Sequence, residues 1–339
     1  MPIKRLIGFS DTQVGFEQTK QNLEFDGESV HSLVNGQSFG IGEFELLTLK
    51  ELRSRVSAVQ SKGPDERFGS PNRVGHNQPV RENVKDYMKN PDYNHALFQV
   101  ASQFNLLEMG SPNMTPEDGV DVYWSDPTQG PACATATIGA TLFRNYFVEH
   151  DEFEGQTKGF QINGLKGVLE RLGIVDGEHY VYENGYVRLA KKEMQACSLR
   201  IDSMTNDERN ELMGELGVGI HWGCQVNDDV QGLDQHVSLI LCSGLPLGVY
   251  KRAGVDRDDA EALGRLVQDG MQEATILAGA LNQVKFGVSD VVLTKLGNGV
   301  FGNPMDWVVA ARNRALDLVP CSLDVLQFHY GRREPEFDY

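Results

Sequence analysis

Cysteine is sparse and unpatterned in this chain. Five residues, Cys133, Cys197, Cys224, Cys242 and Cys321, stand far apart with no CxxC spacing. An odd, scattered set in 339 residues fits neither a disulfide framework nor a cysteine-built zinc site, and no metal is expected. Basic charge is short as well. Lys and Arg number 31 against 48 Asp and Glu, a formal net charge of -17. Such a surface repels nucleic-acid backbones, and no run of Lys or Arg offsets it, which argues against a nucleic-acid partner. Long apolar runs are also missing. The basic opening Met1-Pro2-Ile3-Lys4-Arg5 leads into no signal-peptide core, and no stretch is long enough to span a bilayer. A reducing, cytoplasmic setting without membrane contact is the expectation. Internal repeats and low-complexity tracts are absent.

What remains is ordinary globular material. Hydrophobic residues make up 40% and aromatics 9%, enough for a large core in one elaborated domain or two modest ones. Up to residue 95 short strand-like runs surround one clear helix. Thr48 and Glu51 have capping-box spacing, and Leu49, Leu52 and Val56 recur at helical intervals. Residues 61–91, rich in Pro, Gly, Asn and charge, read as a surface excursion or lid.

A buried strand opens at Ala96 and meets Ser102, Gln103 and Asn105 where it would leave the sheet. A short strand Val120 to Trp124 is expected next, then a helix to about Phe147 whose first half is crowded with small residues. Residues 150–215, punctuated by glycine, read as an insertion with a hairpin and two short helices, and Thr205 with Glu208 repeats the capping-box spacing. From Leu216 strands alternate with helices: Leu216 to Trp222, Val237 to Cys242, the amphipathic helix Asp256 to Asn282, strand Asp290 to Leu296, helix Met305 to Val319 and strand Leu323 to Tyr330. That order specifies a mainly parallel sheet covered by helices, with ligands beyond the carboxyl ends of its strands.

The densest signal is Gly297-Asn298-Gly299-Val300-Phe301-Gly302-Asn303-Pro304, directly after the strand Val291-Val292-Leu293-Thr294. Asn303 suits an N-cap, Pro304 a first helical position, and Asp306 the first turn. Three glycines permit positive φ and let backbone N–H groups converge on an anion. The loop is neither a Walker loop nor a GxGxxG fingerprint. Taken alone, it is equally a tight turn that needs glycine for geometry.

The stretch Leu296 to Pro304, with the following helix and strand, resembles the distal phosphate loop of macrodomains, an ADP-ribose-binding family. The resemblance covers roughly the last hundred residues well and Ala96 to Phe147 loosely. It implies a three-layer α/β/α core over 96–339 with a mainly parallel mixed sheet, an insertion at about 150–215 and an N-terminal extension, 1–95. It also implies that Gly297, Asn298, Gly299, Val300, Phe301, Gly302 and Asn303 wrap a pyrophosphate, with Phe301 against the distal ribose. The family's Asn-Ala-Ala-Asn is replaced by Ala101-Ser102-Gln103-Phe104-Asn105, which leaves Gln103 or Asn105 as the ribose-facing amide. Its first glycine loop corresponds to Thr128-Gln129-Gly130-Pro131-Ala132-Cys133, where Gly130 alone keeps the chemistry and Cys133 would line the ligand. The Gln-Glu-Glu of poly(ADP-ribose) glycohydrolases is absent. The implied partner is ADP-ribose, or a small molecule or protein carrying it, and no further cofactor.

Three functions are thereby open. The first is hydrolysis at the distal ribose, with Asp126, Gln129, Gln103 and Asn105 around the scissile end. The second is a reader that binds the same ligand without turnover. The third is a cysteine hydrolase in which Cys133, at a helix start that would lower its pKa, pairs with His221 or His236. Each residue also has a plainer account. Asp126 before Pro127 suits a turn, Cys133 a small buried position, His221 a packed strand end, and Glu108 a solvated side chain. Asp228-Asp229, Asp256 to Asp259 and Glu334 to Asp338 read as solvated acidic clusters.

Overall fold

The computed structural model describes residues 2–62, 66–77, 83–227 and 234–337. Asp228-Asp229, Asp338 and part of the 61–91 segment lie outside the described residues.

Among the described residues, seven strands form the central sheet. In chain order they are β1 (Glu43–Thr48), β2 (Arg73–His76), β3 (Leu97–Ala101), β4 (Gly217–Gln225), β5 (His236–Cys242), β6 (Asp290–Leu293) and β7 (Asp324–Gln327). Their spatial order is β1-β4-β5-β3-β6-β7-β2. Only β4 runs against its neighbours; β5, β3, β6, β7 and β2 pair in parallel. Residues 1–95 thus supply both edge strands of the sheet as well as more peripheral elements.

Alternation along the central strands sends side chains to two separate cores. Leu97, Ile240, Val291 and Leu293 join one, with α1 (Leu49–Gln60) and α4 (Arg257–Phe286). Phe98, Val100, Leu239, Leu241 and Val292 join the other, with α2 (Gln129–Ala136) and α3 (Ile138–Tyr146). The result is the three-layer α/β/α arrangement. The 30-residue α4 forms the spine of its layer, packing on α1, on α5 (Met305–Leu318) and on helix Lys191–Ser203. The capping boxes at Thr48/Glu51 and Thr205/Glu208 are formed.

Four local expectations change. Val120 to Trp124 is not a strand; Asp121–Ser125 is a 3₁₀ turn, because the buried Asp11 carboxylate accepts the N–H groups of Val120 and Asp121 at 2.6 and 3.1 Å. The helix to Phe147 breaks at Thr137, where Asn227 Oδ1 caps Ile138 N at 2.6 Å and starts α3 afresh. Residues 150–215 hold the hairpin Tyr180–Glu183/Tyr186–Leu189 but three helices, Lys166–Arg171, Lys191–Ser203 and Asn206–Met213. Pro304, not Asn303, is the N-cap of α5. Among the described residues no helix is long and apolar enough to cross a membrane.

Candidate functional site

Beyond the carboxyl ends of β3, β5, β6 and β7 lies a cleft of about 420 Å³, lined by residues 101–103 and 108–110, Gly244, 294–297, Phe328 and Tyr330. Its location follows from the sheet. The β3–β6 ladder contains only Val291↔Leu97 and Val292↔Phe98, after which the strands part. The backbone groups freed by that parting are met by a side chain. Gln129 Oε1 accepts Ala101 N at 2.8 Å, and its Nε2 donates to Gln99 O at 2.9 Å. One carboxamide therefore extends the ladder and pins the start of α2 against β3. Gly130 makes that approach possible, since a Cβ there would lie 2.0 Å from the Ala101 carbonyl oxygen.

One wall is the glycine loop. Gly297, Gly299, Val300 and Phe301 line the cleft; Asn298, Gly302 and Asn303 do not. Positive φ occurs at Gly297 (78°) and Gly302 (73°), whereas Gly299 does not need it. Asn303 Nδ2 donates to Leu245 O at 2.7 Å and to Gly297 O at 3.0 Å, so this side chain fastens the loop rather than capping the helix. Asn298 Nδ2 adds a bond to Asn303 O at 2.9 Å. The N–H groups of Gly299, Val300 and Phe301 enter no hydrogen bond among the described residues. They remain available to an anion.

The other wall joins Gln103–Gly110 to the first turn of α2. Gln103 lines the cleft, but its amide is spent on the loop: Oε1 accepts Met109 N at 2.6 Å and Nε2 donates to Met109 O at 2.9 Å. Asn105 lies off the cleft, bonded to Leu107 N and Gln161. Asp126 sits at the mouth and accepts the Thr128 N–H and hydroxyl at 2.8 and 2.6 Å, a turn that presents the α2 N-terminus. Phe301 faces across to Tyr186, ring centroids 5.8 Å apart.

Cys133 is fully buried and absent from the lining. Burial raises its thiol pKa well above the usual range, overriding the helix start that was expected to lower it. Its Sγ lies 3.3 Å from Gln129 Nε2. His221 is buried between Phe44 and Phe143 with Nδ1 at 2.8 Å from Ile41 O, and desolvation keeps it neutral. His236 stacks on His95. The cysteine-hydrolase reading therefore loses its thiolate, and His221 is lost to it as a base.

Glu108, expected to be solvated, is instead 2% exposed on the cleft floor. Burial raises its pKa to about 7, opposed by Arg144, whose Nη2 lies 3.2 Å from Glu108 Oε1. Among the described residues its other oxygen, Oε2, has no hydrogen-bond partner, and neither does Thr294 Oγ1, also in the lining. A buried carboxyl titrating near neutrality beside a cleft is the usual form of a proton-handling group. The available signal was a lone acid inside Leu106-Leu107-Glu108-Met109 and a lone base inside Leu142-Phe143-Arg144.

No protein-family model matches the chain, and no curated protein matches it significantly. Solved structures do. A poly(ADP-ribose) glycohydrolase from Deinococcus radiodurans, in complex with ADP-ribose, aligns at 10% identity over 87% of this chain and 90% of its own, with a TM-score of 0.44. The enzyme of the same name from Thermomonospora curvata aligns at 12% identity over 96% of both chains, TM-score 0.42. Its complex with the inhibitor ADP-HPD gives 13% identity, 96% of both chains and a TM-score of 0.43.

Proposed function

We propose that the cleft binds an ADP-ribose moiety and that the protein hydrolyses a bond at its distal ribose. One observation carries this reading: the glycine loop and the first turn of α2 line the same cleft, beyond the carboxyl ends of the strands. Among the described residues the N–H groups of Gln129 and Gly130, like those of Gly299, Val300 and Phe301, enter no hydrogen bond; the two sets suit a diphosphate, and Phe301 offers an apolar face for the ribose. Asp126 at the mouth and Glu108 on the floor are the carboxylates placed to handle protons there. Gln129 and Gln103 shape the site through the backbone groups they hold, and Asn105 acts behind them on the 105–107 turn. Residues 96–339 would then form the ligand-binding core, and Asn83 and Val84, which line the cleft, would make the preceding segment a partial cover.

Titration with ADP-ribose tests the binding. A dissociation constant below the millimolar range is expected, with a rise in melting temperature. No shift at millimolar ligand would end the proposal. Release of ADP-ribose from an ADP-ribosylated substrate, lost in Glu108→Gln and reduced in Asp126→Ala while binding persists, separates the enzyme from the reader. Binding without turnover supports the reader.

A further inference from the structure

The glycine loop supplies dipoles to an anion but no net charge. Among the described residues lining the cleft the only cation is Lys295, two positions before Gly297. Its Nζ lies 3.0 Å from Glu334 Oε1. This is no ordinary surface pair. The two side chains are 27% and 12% exposed, and Glu334 comes from the chain end that folds back beside β7.

The partners differ in how firmly they are held. Glu334 is anchored through its backbone, whose N–H donates to His329 Nδ1 at 3.2 Å. Three residues on, Phe337 is fully buried, and its carbonyl accepts Arg312 Nη2 at 3.0 Å. Lys295 is a flexible stem rooted at the end of a strand. Glu334 also has a second counter-charge, since Arg332 Nη2 stands 3.6 Å from its Oε2. Lys295 can therefore leave without stranding a buried carboxylate. Without a ligand the pair prevents the converse, a half-buried ammonium with no partner.

We propose that Lys295 pairs with the phosphate charge of the ligand and that Glu334 occupies its place until an anion arrives. The inference rests on the ADP-ribose reading for the ligand's identity but not for its chemistry, which is that of a diphosphate. The Lys295–Glu334 contact is then a selectivity device. A neutral nucleoside gains nothing from Lys295, whereas a diphosphate carries more charge than one carboxylate already shared with Arg332.

The test is calorimetric titration of the full chain, wild type, Lys295→Met and Glu334→Gln, with ADP-ribose, adenosine and inorganic pyrophosphate. Melting temperatures serve as folding controls. Lys295→Met should weaken ADP-ribose about tenfold and leave adenosine unchanged. Glu334→Gln should tighten ADP-ribose about threefold, a sign that general damage to the fold would not produce. Equal shifts for ADP-ribose and adenosine, or no tightening in Glu334→Gln, would overturn the inference. Should Lys295→Met fail to fold, the sign of the Glu334→Gln effect decides. Should the wild type bind pyrophosphate but not ADP-ribose, a loss in Lys295→Met keeps the inference and ends the nucleotide reading. If neither ligand binds, both end.

Discussion

Across one cleft, the wall at Gly297–Gly302 and the wall at Gln103–Gly110 with the start of α2 solve different problems. The first takes its shape from its own backbone: within seven residues, Gly297 and Gly302 take positive φ and Asn303 ties the loop to Gly297 O, with one longer tie to Leu245 O. The second is assembled from distance. Glu108 meets Arg144 across 36 residues, and Gln129 meets Ala101 across 28. A local wall tolerates change wherever its backbone is ordinary. A wall made by long-range pairing fails at any one of its partners, because removing one leaves the other buried and unmatched.

The largest effect is expected at Arg144. Arg144→Met leaves Glu108 without its counter-charge and should cost about 3–5 kcal/mol at pH 8. The cost must depend on pH. The pKa of Glu108 is raised from 4.5 to about 7 in the folded protein, so folding favours its neutral form. That contribution is fully present below pH 4.5 and is lost as pH rises through 7. Removing Arg144 pushes the folded pKa higher still, so the variant should recover much of its deficit at pH 5. Urea denaturation at pH 5 and pH 8 checks this; a deficit independent of pH would break the account of that wall.

Next comes Gln129→Ala. It deprives Ala101 N and Gln99 O of their partners at the point where β3 and β6 part, at an expected cost of about 1–3 kcal/mol by the same denaturation. Gly297→Ala should follow at about 1–2 kcal/mol. It forces an L residue to a φ of 78° and sets a Cβ 2.4 Å from Gln268 Nε2. A Gln129→Ala effect smaller than that of Gly297→Ala would reverse the ranking of the walls.

The same contrast explains what could be read from the sequence. The sheet-and-helix alternation after Leu216, both capping boxes and the position of the glycine loop depend on neighbours within a few residues, and period and spacing encode them. Glu108 could not be placed that way. Its environment is set by Arg144 and Tyr123, on elements whose packing no local pattern records. Cys133 bears out its plainer account as a small buried residue for a related reason. Its position near a helix start argued for a lowered pKa, and its burial under the Gln129 amide outweighs the dipole. The ends of strands were overextended for another. The strand expected over Asp290 to Leu296 stops at Leu293, because the β3 groups that Thr294 and Lys295 would pair with are taken by Gln129.

The smallest effect separates loop geometry from ligand approach. Gly299 has no positive φ, and a Cβ there meets nothing within 4 Å. Gly299→Ala should therefore change stability by no more than ~0.5 kcal/mol, or stabilise slightly by restricting the unfolded chain. Yet Gly299 lines the cleft, and its N–H is one of the donors without a partner among the described residues. If its glycine serves backbone approach to an anion, the alanine variant should keep its melting temperature and lose affinity for ADP-ribose severalfold. Paired with Gly297→Ala, which should lose stability first, it assigns one glycine of the loop to the turn and the other to the ligand. Unchanged affinity in Gly299→Ala would return both to geometry alone.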